Sequence, residues 1–125
     1  MMLNQITSAL TFDIEDGLSL AMRDLFNKRI PQSNRVYINT RKILDLLAEN
    51  NVKGTFFTLG VVAKDFPQLI NEIVKEGHEL AVHGYHHYEV FKLTRQEFFK
   101  ELKVAKDILE QTSGQEVLGH RAPAF

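Results

Sequence analysis

Four short runs of β-forming residues alternate along this chain with longer stretches of helical periodicity, and this alternation constrains the fold more than any other feature. The runs are at residues 9–12, residues 52–59, residues 79–82 and from about residue 117. The order is therefore βαβαβαβ. Because such crossovers are right-handed, the strands should be parallel, with the helices packed outside them. The sequence predicts an α/β fold.

The predicted helices have recognisable start and stop signals. The first covers about residues 35–50. The second has Pro67 in its first turn and ends at Gly77. The third begins at a capping box formed by Thr94 and Glu97, and Gly114 ends it. The apolar positions expected to face the core are Val36, Ile43, Leu44, Leu47, Leu69, Ile70, Ile73, Val74, Phe98, Leu102, Ala105 and Leu109.

Composition limits the kinds of partner and metal site. The 125 residues suit one domain, spanning 1–125, and the chain has no cysteine, so a bound metal would need His, carboxylate and water ligands. A formal charge of -1 gives no electrostatic signature of nucleic-acid binding. No apolar run approaches the ~20 residues of a membrane span. Residues 1–10 lack the features of a secretory signal, so we expect a cytoplasmic protein.

Three polar clusters follow three of the predicted strands. Asp13, Glu15 and Asp16 come after the first strand, the segment 83–87 (His-Gly-Tyr-His-His) after the third, and Arg121 after the fourth. In parallel α/β folds the C-terminal ends of the strands meet at one edge, where chemistry gathers. We therefore expect these side chains to lie close together.

His83 and His87 are candidate metal ligands. They are four residues apart, a spacing that suits zinc, although Gly84 favours a tight loop over a regular helix. No Glu follows His83, so this is not the zinc-protease motif. Clustered histidines also occur by chance in polar loops. The position after a buried strand, with carboxylates at the same edge, favours the ligand interpretation.

The other three histidines are expected to have different roles. We predict that His86 is a bystander and that His78 is a turn or surface residue. His120 lies beside Arg121 and could support the ligands of the site from outside, but we predict a structural role for it.

The acidic cluster also suggests a cation. Asp13, Glu15 and Asp16 would repel one another if they were gathered at a desolvated strand end. A divalent metal resolves this, with one carboxylate as a ligand and another free as a base. The alternative is an ordinary acidic turn that caps the next helix. A guanidinium such as that of Arg121 near Asp13 would keep the carboxylate ionised and oriented.

These motifs resemble those of a known enzyme family. The matching segments are Thr-Phe-Asp-Ile-Glu-Asp-Gly at 11–17, Thr-Phe-Phe at 55–57, Gly-His-Glu at 77–79 leading to 83–87, and Arg-Ala-Pro at 121–123. In order and spacing they resemble the polysaccharide deacetylases, the NodB-homology domains of carbohydrate esterase family 4. The resemblance implies a distorted, incomplete (β/α) barrel. It also implies a hydrolase that acts on the carbon–nitrogen bond of N-acetyl groups in an amino-sugar polysaccharide.

The resemblance also implies roles for individual residues. Asp13 would be the general base, with Arg121 holding it in place, and His83 and His87 would bind the metal together with a carboxylate. Zinc is the expected ion, and cobalt or iron would also suit the ligand set. Many members have two adjacent aspartates where this chain has Asp13 and Asp16 separated by two residues. Asp16 aligns with the ligand position and is preferred, with Glu15 second.

Other departures concern the length and the branch of the family. The Asp-X-Glu-Asp form is similar to the branch found with exopolysaccharide synthesis genes, and Ala124 stands where many members have an aromatic residue. Family members continue with an Asp motif and a late acid His, and neither has a counterpart before Phe125. The chain is therefore expected to be the N-terminal portion of the domain, without full activity by itself.

Two alternatives remain open from the sequence. One is a non-catalytic module that binds sugar or metal. The other is a phospho-receiver signalling domain, which fits the length and the early acidic cluster but lacks an acceptor aspartate after the second strand. The sequence leaves the identity of the polysaccharide and the oligomeric state open.

Overall fold

The computed structural model describes residues 8–124, which form one parallel sheet with helices packed on it. The strands lie in chain order, with all three neighbouring pairs parallel. They are β1 (Thr11–Ile14), β2 (Thr55–Thr58), β3 (Glu79–Val82) and β4 (Gly119–His120). The helices are α1 (Gly17–Phe26), α2 (Arg35–Glu49), α3 (Gly60–Asp65), α4 (Pro67–Lys75) and α5 (Arg95–Ser113), and a 3-10 turn covers Val90–Lys92. The α/β parallel prediction is confirmed.

The two faces of the sheet have different environments. Alternate strand residues join the helices in the apolar core, among them Ile14, Phe56 and Leu80. The residues between them lie on the opposite face, where the register aligns Asp13 with Phe57 of β2. The fold therefore buries one face of the sheet under the helices and places Asp13 on the other.

The helix signals in the sequence were largely correct. The helices α2, α4 and α5 are present, Thr94 and Glu97 form the capping box, and Gly114 caps α5 in a left-handed conformation with φ 69°. Gly77 follows α4 with φ 86°. These ends are encoded locally, so the sequence alone can locate them.

Two helices were missed and two strands are shorter than expected. α1 leaves Leu25 and Phe26 largely exposed, so it lacks the regular buried stripe that would reveal it. α3 has only six residues. β4 begins at Gly119 because the backbone of Val117 bonds to α5 instead: its N–H donates to Glu110 Oε1 and its carbonyl accepts from Lys106 Nζ. β2 starts at Thr55, not at residue 52.

Within residues 8–124 no helix is both long and apolar enough to cross a membrane. The expectation about a secretory signal concerns residues 1–10, of which residues 1–7 lie outside the described part of the chain.

Candidate active site

Three side chains from two strand ends converge at the C-terminal edge of the sheet. Oε2 of Glu15, just after β1, lies 3.3 Å from Nε2 of His83 and 3.0 Å from Nε2 of His87, both of which follow β3. One ligand atom from each residue lies within 4.8 Å of the other two. Within residues 8–124 this is the group of His and carboxylate side chains placed to hold a metal ion.

The tautomer of His83 suits metal binding. Its Nδ1 lies 2.9 Å from the backbone carbonyl oxygen of Arg121, and a carbonyl can only accept, so Nδ1 carries the proton. In its neutral form, His83 then presents a lone pair on Nε2, the atom that lies 3.3 Å from Oε2 of Glu15. A metal-binding imidazole usually donates the N–H of its other ring nitrogen to a carbonyl or carboxylate, which fixes the orientation of the ring. The residue that follows β4 thus orients the residue that follows β3.

Glu15 is the anionic member of this cluster. Oε2 of Glu15 is buried and accepts no well-formed hydrogen bond within the described residues, although two imidazole nitrogens are in contact with it. The adjoining His83 and His87 lower the pKa of Glu15 from 4.5 to about 2. Burial opposes charge on His83, but Glu15, the Arg121 carbonyl and Asp13 together raise its pKa above 6.5. An ionised carboxylate and two imidazole nitrogens at this spacing form a donor set that fits a divalent metal.

Asp13 lies beside this cluster and is held by Arg121. Nη1 of Arg121 donates to Oδ1 of Asp13 at 2.7 Å, and Nη2 donates to Oγ1 of Thr11 at 2.8 Å. The guanidinium also lies over the ring of Phe57, with 4.1 Å from its central carbon to the ring centroid. Oδ2 of Asp13 is 3.8 Å from Nε2 of His83, and the side chain is 32% exposed. Solvent and a substrate can therefore reach this carboxylate.

Asp16, the preferred carboxylate ligand in the sequence analysis, does not join the cluster. Its Oδ1 accepts from the N–H of Leu18 and the hydroxyl of Ser33, and its Oδ2 accepts from the N–H of Ser33 at 2.6 Å. It is 2% exposed and caps the N-terminus of α1. Glu15, ranked second from the sequence, occupies the position next to the imidazoles.

The remaining histidines lie apart from this cluster. His78 follows the turn at Gly77 and is no part of the metal-binding group, but it is 4% exposed, with its ring tilted against that of Phe56 and its Nδ1 accepting from the N–H of Gly54. Of the predicted turn or surface position, the surface part was therefore wrong. The ring of His86 pairs with a carboxylate of α5. The ring of His120 lies 5.7 Å from that of Phe98 in α5, and His120 is not one of the three residues grouped to hold a metal.

Two residues outside the predicted site contact the histidine segment, Arg23 of α1 and Glu101 of α5. Neither belongs to a motif, because their role depends on where α1 and α5 pack. A cleft of about 490 Å³ also opens beside His87. Its lining includes Tyr88 and Lys92, and Ala124 forms part of its wall.

Comparison with known proteins identifies the family. Residues 3–124 match the family model described as polysaccharide deacetylase. The chain belongs to the polysaccharide deacetylase family. The resemblance seen in the motifs is thereby confirmed.

Individual relatives of this deacetylase-family chain agree with that assignment. A peptidoglycan-N-acetylglucosamine deacetylase of Bacillus cereus is 39% identical over 75 residues, which cover 60% of this chain and 27% of the relative. A chitooligosaccharide deacetylase of Sinorhizobium fredii is 36% identical over 85 residues, or 67% of this chain and 40% of the relative. The structure of the peptidoglycan deacetylase PdaC from Bacillus subtilis matches with a TM-score of 0.75 and 31% identity, covering 96% of this chain and 50% of PdaC. The chain thus spans half or less of the length of these relatives.

Proposed function

We propose that this chain carries the metal-binding part of a hydrolase that removes N-acetyl groups from an amino-sugar polysaccharide. The observation that carries the proposal is the buried Glu15 oxygen that faces the Nε2 atoms of His83 and His87, beside the Asp13–Arg121 pair. Membership of the polysaccharide deacetylase family supports the reaction type.

The proposed ligands are Glu15, His83 and His87, a two-imidazole, one-carboxylate set. Zinc suits such a set, and cobalt or iron would also fit it. A bound zinc ion would polarise the acetyl carbonyl and acidify a water molecule at the site. A neutral His83 with its proton on Nδ1, and a Glu15 oxygen that faces both Nε2 atoms, would suit such an ion.

Asp13 is the proposed general base. Arg121 engages its Oδ1, which leaves Oδ2 to face the cluster and accept a proton from the attacking water. The guanidinium is itself held between Thr11 and the Phe57 ring, so the carboxylate is oriented before the substrate binds.

The proposed substrate is an N-acetylated amino-sugar polymer. Relatives are named for their action on peptidoglycan and on chitooligosaccharides, which share an N-acetylated sugar. The cleft beside His87 offers a place for a sugar ring, and Tyr88 supplies an aromatic side chain there. The receiver alternative has no support in the structure, because β2 ends at Thr58 and is followed by Leu59 and Gly60, not by an acceptor aspartate.

The test uses the full-length protein and measures acetate release together with zinc content. Asp13→Asn should abolish deacetylation and retain zinc, because the three ligands remain. Asp65→Asn, an exposed change on α3, is the matched control and should keep both. Unchanged activity in Asp13→Asn would remove this residue from the mechanism. Zinc and glycan binding without any turnover by the unaltered protein would favour the non-catalytic alternative.

A further inference from the structure

The segment that carries His87 has an unusual backbone conformation. Gly84 has φ 80°, and His87 itself has φ 63°. The first value suits glycine, whereas only a few per cent of non-glycine residues adopt the left-handed region, histidine more often than most. A non-glycine residue keeps such a conformation only when its surroundings over-determine it. Contacts from outside the segment must therefore hold His87 in place.

Arg23 supplies contacts to the carbonyl side of this segment. Its Nη1 donates to the backbone oxygen of His86 at 2.5 Å, and its Nη2 donates to that of His87 at 3.3 Å. The guanidinium also lies 5.5 Å from the centroid of the Tyr88 ring. A planar guanidinium can hold two neighbouring carbonyls at once, which a lysine ammonium cannot do with the same geometry.

Glu101 supplies contacts to the N–H side. Its Oε2 accepts from the backbone N–H groups of Tyr85 at 3.1 Å and of His86 at 3.0 Å. Its Oε1 lies 2.7 Å from Nδ1 of His86. The side chain is 16% exposed, so these bonds are partly shielded from water. α1 and α5 thus hold the same segment through opposite groups of its backbone.

We propose that Arg23 and Glu101 are positioning residues that fix segment 84–87 in the conformation which presents Nε2 of His87 to the metal. The proposal rests on the proposed function, since it takes His83, His87 and Glu15 as the ligands. Without either contact, the backbone at His87 can relax towards a more favourable φ, and this moves the imidazole away from Glu15. The affinity for the ion then falls even though all three ligands are present.

Zinc affinity, measured by competition with a chelator, tests this directly. Arg23→Ala and Glu101→Ala should each bind zinc about 10–100-fold more weakly, the usual effect of losing a partner outside the ligand set. Arg95→Ala and Glu116→Ala change exposed residues of the same types on and beyond α5 and should bind zinc as the unaltered protein does. Arg23→Lys, which keeps the charge and can hold only one carbonyl well, should give an intermediate affinity and serves if Arg23→Ala fails to fold.

A second readout separates positioning from general stability. Cobalt(II) replaces zinc as a probe, and its visible absorption reports the geometry of the ligands. The cobalt spectra of Arg23→Lys and Glu101→Ala should differ from that of the unaltered protein at saturating cobalt, while those of the two controls should not. Unchanged zinc affinity and cobalt spectra in these variants would overturn the proposal and leave the ligand assignment intact. If the unaltered protein binds no zinc, both the ligand assignment and this proposal fail.

Discussion

Arg121 contacts two site residues through different parts of its structure. Its guanidinium donates to Oδ1 of Asp13 at 2.7 Å, which joins the ends of the outer strands β1 and β4. Its backbone carbonyl accepts from Nδ1 of His83 at 2.9 Å. The side chain therefore orients the proposed base, and the backbone orients a proposed metal ligand, so a side-chain substitution can separate the two.

Arg121→Lys should lower deacetylation by about 100-fold in the full-length protein and leave zinc affinity unchanged. A lysine ammonium cannot bond to Asp13 and Thr11 at the same time as the guanidinium does, so Asp13 loses its fixed orientation. A displacement of a catalytic group by about 1 Å can lower the rate by about 100-fold. The carbonyl to His83 remains in the variant. Rates of acetate release and a zinc titration provide the comparison. A parallel loss of zinc would show that the two roles are not separate.

Gly60, at the start of α3, provides a test of packing under the histidine segment. A Cβ at this position would lie 2.1 Å from the ring of Tyr85, so the ring must shift. Gly60→Ala should destabilise the fold by roughly 1–3 kcal/mol, as overpacking usually does. Gly17→Ala is the matched control, because a Cβ there meets no atom within 4 Å. Urea unfolding of both variants measures the difference, and equal stabilities would contradict the packing described here.

His78 should make stability depend on pH. Burial first, and then Lys53, lower the pKa of His78 below 6.5, so the folded state binds this proton less readily than the unfolded state. Its contribution to stability is complete above pH 6.5 and is lost as the pH falls towards the lower, folded pKa.

His78→Asn tests this pH dependence, since asparagine can still accept from the N–H of Gly54 but does not titrate. The free energy of unfolding is measured from pH 8 to pH 5 for both proteins. The difference between the two curves separates the effect of His78 from that of the other histidines. As the pH falls below 6.5, the unaltered protein should lose more free energy of unfolding than the His78→Asn protein. Parallel curves would show that His78 does not carry the effect.

The sequence located those parts of the fold that local chemistry determines. The capping box at Thr94 and the left-handed Gly114 depend on neighbouring residues only, and both are present in the structure. The helix α1 is different, because its boundaries depend on Asp16, which the sequence analysis assigned to the metal. A cap and a ligand use the same carboxylate chemistry, so residue type alone could not distinguish them.

Position relative to the end of β1 determines which of Glu15 and Asp16 faces the histidines. β1 ends at Ile14, and Glu15 follows with its side chain towards the histidines, whereas Asp16 turns to the N–H groups of Leu18 and Ser33. The partner residue Ser33 is 17 positions away, beyond α1. Arg23 and Glu101 were missed for the same reason, since their contacts depend on how helices pack and not on a local pattern.

The choice between these two carboxylates offers the most direct test of the metal site. Zinc affinity is measured by titration calorimetry for Glu15→Gln and Asp16→Asn, with urea unfolding of the metal-free proteins alongside. Glu15→Gln should weaken zinc binding by more than about 100-fold, because it removes a ligand and not an outer contact. Asp16→Asn should bind zinc normally and lose about 1 kcal/mol of stability, since one of the part-buried N–H groups of Leu18 and Ser33 loses its carboxylate acceptor. Normal zinc binding by Glu15→Gln, with loss of zinc in Asp16→Asn, would show that Asp16 and not Glu15 is the carboxylate ligand.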